Sequence, residues 1–129
     1  MNKNDLQQAL EQAVRAVQDK KAADVVLLDM RTAASFTDYF LLCTGTSLRQ
    51  VQAIGDAVEE QLERMGVPPL HVEGYESAEW VLLDYLNFVV HIFSERARAY
   101  YDLERLWRSA QRLPIPADVP PGAQPAERL

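Results

Sequence analysis

The spacing of hydrophobic residues changes several times along positions 1–112, and these changes predict alternating helices and strands. Near the N-terminus, apolar residues recur at helical intervals behind Asn4, the predicted N-cap: Leu6, Leu10, Ala13, Val14 and Val17. Residues 24–29 are an apolar run bounded by two aspartates, which is typical of a strand covered on both faces. Residues 39–44 predict a second strand, which ends at Gly45 and could pair antiparallel with the first.

The middle of the chain carries the clearest helical pattern. Ser47 is the predicted N-cap, Gln50 completes a capping box, and Gly66 occupies the position of a C-terminal stop. One face of this helix is apolar and consists of Val51, Ile54, Val58, Leu62 and Met65. The pattern therefore predicts an amphipathic helix packed on a sheet.

The rest of the chain predicts three strands and one helix. Residues 67–74 contain two consecutive prolines, which favours a short strand at the edge of the sheet. Residues 80–85 and 88–93 predict a hairpin. The last helix begins at Ser94 or Glu95, ends before Pro114, and carries Tyr100, Leu103, Leu106, Trp107 and Ala110.

This element order predicts an α/β (α+β) domain over residues 1–112, with helices packed on a mixed β-sheet of about five strands. Residues 113–129 contain five prolines and little contiguous apolar sequence. Such a composition cannot offset the entropy lost on ordering, so we predict a Pro-rich disordered tail over 113–129.

Composition narrows the choice of partner and compartment. The net charge of −6 argues against sequence-independent RNA binding, which relies on Lys and Arg, and suits attraction of a basic protein. No apolar run approaches the roughly 18 residues that span a bilayer, and the N-terminus lacks the apolar core of a signal peptide. The single cysteine, Cys43, lies in an apolar run and predicts a buried, reduced thiol. We therefore expect a cytoplasmic protein without a membrane segment.

One turn resembles an enzyme motif. Gly45-Thr46-Ser47 lies between a strand and a helix, like the Gly-Ser turn of nucleotidyltransferases, although a turn glycine and a capping serine explain it without a ligand. Such an enzyme also needs paired carboxylates for two metal ions. The pair Asp102 and Glu104 would lie about 200° apart around the predicted last helix. We therefore predict a protein that is not an enzyme.

No metal or cofactor site is predicted. Cys43, His71 and His91 lack the spacing of zinc ligands. Cys43 and His91 could be imagined as a nucleophile and its base, but both lie in apolar strand runs, which favours structural roles.

The hairpin is the candidate binding surface. Strand alternation places Trp80, Leu82 and Asp84 on one face, and Val81, Leu83 and Tyr85 on the other. Burial of an unpaired Asp84 would be costly, so its face is expected to be partly open. A tryptophan beside carboxylates suits a protein-binding anchor, and the alternative is a core tryptophan next to solvated charges.

The last helix is locally basic. Five arginines are expected to lie on its solvated face, and a secondary contact with RNA is the less favoured alternative: Arg96, Arg98, Arg105, Arg108 and Arg112.

Together these motifs resemble the ribosomal silencing factor family, also called Iojap. The resemblance covers roughly residues 5–108 and rests on 38–40, 43–47 with 49–50, 72–74, 80–85, 90–93 and 101–107. It implies a nucleotidyltransferase-like fold without established transferase activity. It also implies binding to the large-subunit ribosomal protein uL14, which blocks joining of the small subunit and represses translation when nutrients are scarce.

The resemblance also implies a partner-binding set. The family's surface includes the tryptophan and the strand that follows it, which correspond here to Trp80, Leu83, Asp84 and Tyr85. The usual family pattern continues with Gly-Asp, whereas this chain has Leu86-Asn87. The alternatives are a nucleotide-binding enzyme that uses the Gly45 turn and a ribosome-assembly factor.

Overall fold

The computed structural model describes residues 2–115. Within this range the elements are α1 (Lys3–Asp19), β1 (Ala23–Asp29), β2 (Tyr39–Gly45), α2 (Leu48–Arg64), β3 (His71–Glu73), β4 (Trp80–Asp84), β5 (Phe88–Ser94), α3 (Glu95–Tyr101), α4 (Leu103–Leu106) and β6 (Gln111–Leu113).

The strands form one mixed sheet in the order β3-β4-β5-β2-β1-β6. β2 and β5 are parallel, and the other neighbours are antiparallel. The predicted fold class is confirmed, as are the antiparallel pairing of β1 with β2, the β4–β5 hairpin and the short edge strand β3. The sheet has one strand more than the five that the pattern predicted.

The helices α1 and α2 cover the first face of the sheet and enclose the larger core. The Oγ atom of Ser47 accepts from the N–H of Gln50 at 3.0 Å, so the predicted N-cap is confirmed. Gly66 has φ +77°, as its predicted role as a stop requires. The capping box is not the predicted one, because Gln50 Oε1 accepts from the N–H of Thr46 and its amide donates to the carbonyl of Lys20 at the end of α1.

The start of α1 differs from the prediction. The N-cap is Asn2, whose side chain accepts from the N–H of Asp5 at 2.8 Å, and Asn4 lies inside the first turn. Both asparagines precede the same apolar face, so hydrophobic spacing could not distinguish them.

The predicted last helix is broken. α3 and α4 are separated by Asp102, which adopts a left-handed conformation with φ +47°. The break turns the chain so that Leu103 and Ala110 are both buried on the second face of the sheet. The chain then forms β6 antiparallel to β1, where Leu113 pairs with Leu27.

This pairing also affects the predicted tail. The tail was predicted to begin at residue 113, but that residue belongs to the sheet. The rest of the prediction, over 116–129, lies outside the described residues.

The second face of the sheet has a smaller core, which α3, α4 and the loop between β1 and β2 cover. Its center is aromatic and aliphatic: Phe40, Leu42, Val89 and Phe93. The outward side chains of β4 remain partly exposed at the margin of this core. The candidate site lies there.

Candidate protein-docking site

The second face of β4 presents three partly exposed side chains, those of Trp80, Leu82 and Asp84, which we call the β4 strip. Val81 and Leu83, between them, are fully buried against the first core. The predicted alternation and the predicted partial openness of the Trp80 face are therefore confirmed.

Trp80 is held in place by aromatic neighbours and a hydrogen bond. Its ring centroid lies 4.7 Å from that of Tyr101 and 5.1 Å from that of Phe93. Its Nε1–H donates to Nδ1 of His91 at 3.1 Å. Burial lowers the pKa of His91 to about 3, so the imidazole is neutral near pH 7 and Nδ1 can accept. The indole is thus oriented by the fold before any partner arrives.

The turn before β4 requires glycine. Gly74 has φ +78°, and a Cβ atom there would overlap the carbonyl oxygen of Trp80. The connection is closed by hydrogen bonds from the N–H of Ala78 to the carbonyl of Gly74 and from the N–H of Ser94 to the carbonyl of Glu79. The close approach of the backbone at Gly74 therefore fixes the position at which β4 begins.

Carboxylates surround the strip. Glu73 on β3 pairs with Leu82, so strand geometry places its side chain on the same face. Asp84 uses Oδ1 to accept from the N–H of Leu86 at 2.8 Å. Glu79 accepts from the hydroxyl of Ser94 at 2.6 Å. Arg96 pairs with the same Glu79 carboxylate at 3.4 Å, so the negative charge at the strip comes mainly from Glu73 and Asp84. An aromatic side chain beside these two carboxylates suits a basic protein partner.

The four residues carried over from the family do not share one surface. Trp80 and Asp84 lie on the β4 strip. Leu83 is 0% exposed and Tyr85 4% exposed, and both belong to the first core, where Tyr85 stacks on Phe88. In this conformation Leu83 and Tyr85 cannot contact a partner through their side chains, so they support the strand rather than form its docking surface.

Two tyrosines that sequence reasoning did not assign to the site lie beside it. Tyr101 contacts Trp80 and is 49% exposed, and Tyr100, in edge contact with Tyr101, is 79% exposed. The pattern predicted Tyr100 and Leu106 on the apolar face of one helix, but Leu106 is 72% exposed. The break at Asp102 is the reason, because it ends the helical register that the pattern assumed.

The Gly45 turn has the structural role that the sequence favoured. A Cβ atom on Gly45 would lie 2.8 Å from a methyl carbon of Val51, so glycine allows the close approach of β2 to α2. An adjoining cleft of about 270 Å³ is lined by Glu79, Glu95 and Arg96 among others, so carboxylates outnumber cations there and disfavour a phosphate. Within residues 2–115, no group of three or more His, Cys, Asp or Glu side chains could hold a metal ion.

Cys43 and His91 do not form a dyad. Cys43 belongs to the first core, whereas His91 contacts Phe40 on the second face, so the sheet separates them. Burial raises the pKa of the Cys43 thiol to about 12, which leaves it protonated and unreactive near pH 7.

The prediction that all five arginines are solvated is wrong for Arg98. Its side chain is 11% exposed, forms a bidentate pair with Glu104 at 3.0 Å and donates to the hydroxyl of Thr44 at 2.7 Å. Arg112 reaches the same carboxylate at 3.3 Å. These hydrogen bonds and ion pairs connect α3, α4, β2 and β6.

The fold and the strip define a small α/β protein with a partly exposed tryptophan held in a fixed orientation on its sheet. Comparison with known proteins identifies the family. A family model described as "Ribosomal silencing factor during starvation" matches residues 3–128, and the chain belongs to this family, as the resemblance predicted.

Relatives and a solved structure agree with this assignment. The chain is 46% identical to the ribosomal silencing factor of Halalkalibacterium halodurans, over 81% of this chain and 89% of that protein. It is 43% identical to that of Bacillus subtilis, over 76% of this chain and 83% of that one. An X-ray structure from Chromobacterium violaceum is similar with a TM-score of 0.77 and 35% identity, covering 89% of this chain and 95% of that chain. No helix in the described part of the chain is long and apolar enough to cross a membrane.

Proposed function

We propose that this chain binds the large ribosomal subunit in the cytoplasm through ribosomal protein uL14, prevents the small subunit from joining, and so represses translation. Family membership supports the ribosomal role. The observation that carries the proposed contact is the partly exposed Trp80, held by His91 and Tyr101 at the margin of the sheet. Occupation of the joining surface is sufficient for this effect, so the mechanism requires no catalytic group.

The state of the indole defines the chemistry of the partner. The N–H of Trp80 already donates to His91, so the ring offers its apolar face and edge but no hydrogen-bond donor. A complementary surface would cover the ring with apolar groups or place a Lys or Arg over its face. The nearby carboxylates of Glu73 and Asp84 favour the basic option, which would also accelerate association.

The first test is co-sedimentation of the purified chain with isolated bacterial large subunits, together with a light-scattering assay of subunit joining. Trp80→Ala should weaken association by at least tenfold, because buried tryptophans dominate the binding energy of many interfaces. Trp107→Ala is the matched control, since Trp107 is also partly buried but packs on Phe36 and Phe40 instead. Both variants must show native circular dichroism.

Each outcome separates the candidate functions. Binding by Trp80→Ala at wild-type affinity would remove Trp80 from the site. Association with subunit precursors, without inhibition of joining by mature subunits, would favour an assembly factor. Calorimetry with a nucleoside triphosphate and Mg²⁺ tests the enzyme alternative, which Ser47-dependent heat would favour.

A further inference from the structure

The turn of the β4–β5 hairpin contains an unusual leucine. Leu86 has φ +73°, in the left-handed region that favours glycine and asparagine and is unfavourable for bulky side chains. Its side chain is also 58% exposed. A small or polar residue would suit this position, but the chain has a large apolar side chain there.

Hydrogen bonds on both sides hold this conformation. The N–H of Leu86 donates to Oδ1 of Asp84 at 2.8 Å, and its carbonyl accepts from the hydroxyl of Thr37 at 3.0 Å. The next carbonyl, that of Asn87, accepts from the N–H of Asp38 at 3.0 Å. The backbone cannot relax into a more common conformation without losing these contacts, so the side chain is presented on a rigid support.

Leu86 is unfavourable for the isolated fold because its backbone conformation is strained. Its exposed apolar surface gains little on folding and so offsets little of this strain. Glycine at this position would remove the strain. Coverage of the side chain in a complex would supply a benefit that the isolated fold lacks.

The position of Leu86 indicates which state that is. It follows Asp84, the last residue of the β4 strip, and Asp84 lies about 13 Å from Trp80 at the usual rise of a strand. A protein interface of standard size buries roughly 800 Å² on each partner and easily spans this distance.

We infer that Leu86 is a specificity-determining contact of the docking surface, covered in the complex by an apolar group of the large-subunit protein that also receives Trp80. This inference rests on the proposed function. It makes the surface bipartite, with an aromatic anchor at one end of the strip, an aliphatic contact at the other, and the Asp84 carboxylate between them.

Three variants of Leu86 separate backbone strain from side-chain contact. Leu86→Gly should raise the midpoint of thermal unfolding by a few degrees and yet weaken binding to large subunits by about fivefold to twentyfold. Leu86→Ala should weaken binding similarly without the gain in stability, because alanine retains the strain. Leu86→Met retains both strain and apolar volume and should bind within about twofold of the wild-type chain.

A purely structural role cannot produce a variant that is more stable and binds less tightly. Binding of Leu86→Gly and Leu86→Ala at wild-type affinity, while Trp80→Ala loses binding, would overturn this inference and leave the proposed function standing. Failure of the wild-type chain to bind either large subunits or purified uL14 would overturn both.

Discussion

The buried histidine beneath Trp80 predicts a specific dependence of stability on pH. His91 is 3% exposed, and burial lowers its pKa from 6.5 to about 3. Its Nδ1 accepts from Trp80, so the proton of the neutral ring resides on Nε2, which has no hydrogen-bond partner in the structure. Protonation of Nδ1 would remove this acceptor and place a charge in an apolar environment.

The magnitude follows from proton linkage. Between pH 6.5 and about 3 the unfolded chain binds a proton at this site and the folded chain does not, so acidification favours unfolding. With these two pKa values, the contribution of His91 to the free energy of unfolding falls by about 2–3 kcal/mol from about pH 7 to about pH 4.5. The stabilising contribution is present above the unfolded-state pKa and is lost as the pH falls.

The assay is urea unfolding followed by circular dichroism across this range for the wild-type chain and His91→Phe. Carboxylates contribute equally to both proteins, so the difference between the two curves isolates the histidine. The variant should lose about 2–3 kcal/mol less than the wild type on acidification. His71→Phe controls for the loss of a histidine as such, because the His71 side chain is 65% exposed.

Parallel curves for the wild type and His91→Phe would refute the assignment of a buried, neutral His91. An independent measurement on the unmodified protein uses NMR. The ring resonances of His91 should not titrate between about pH 7 and about pH 4.5 while the chain remains folded, and a titration midpoint near 6.5 would contradict the same reasoning.

Three further predictions concern other parts of the fold. Gly74→Ala should lower the midpoint of thermal unfolding by several degrees, because the new Cβ atom would overlap the carbonyl of Trp80. Arg98→Met should cost about 2–4 kcal/mol in urea unfolding, because it leaves Glu104 partly buried without its bidentate partner, and Arg98→Lys should cost less. The thiol of Cys43 should react with a colorimetric thiol reagent only as fast as the protein unfolds, because burial raises its pKa to about 12; rapid labelling under native conditions would contradict its burial.

Much of the candidate site could be read from local pattern. Successive side chains of a strand point to opposite faces, and this geometry, applied to the predicted strand at 80–85, assigned Trp80 and Asp84 to one face and Leu83 to the other. Ser47 and Gly66 were correctly placed because helix ends depend on nearby side chains and backbone angles. The family resemblance supplied the ribosomal role, but it also carried over Leu83, which the alternation had already placed on the face opposite Trp80.

The last helix shows where local pattern fails. Helical spacing from residue 94 to 110 is satisfactory, yet Asp102 is left-handed and the chain turns into β6. The edge of β1 had unpaired backbone groups, and Leu113 could reach them only if the helix ended early. This is a competition between distant segments, which a single stretch of sequence does not record.

The sequence by itself determined the period of α1, β1, β2, α2, β4 and β5, the alternating faces of β4, and the acidic balance that disfavours nucleic acid. Only the tertiary structure showed that the N–H of Trp80 is satisfied by His91, that Tyr101 packs beside it, and that Leu86 is exposed at a positive φ. Those features depend on the register of β4 against β5 and on the break between α3 and α4. The hairpin register is set close to its turn, whereas the break between α3 and α4 accompanies the pairing of β6 with β1, whose residues are far apart in the chain.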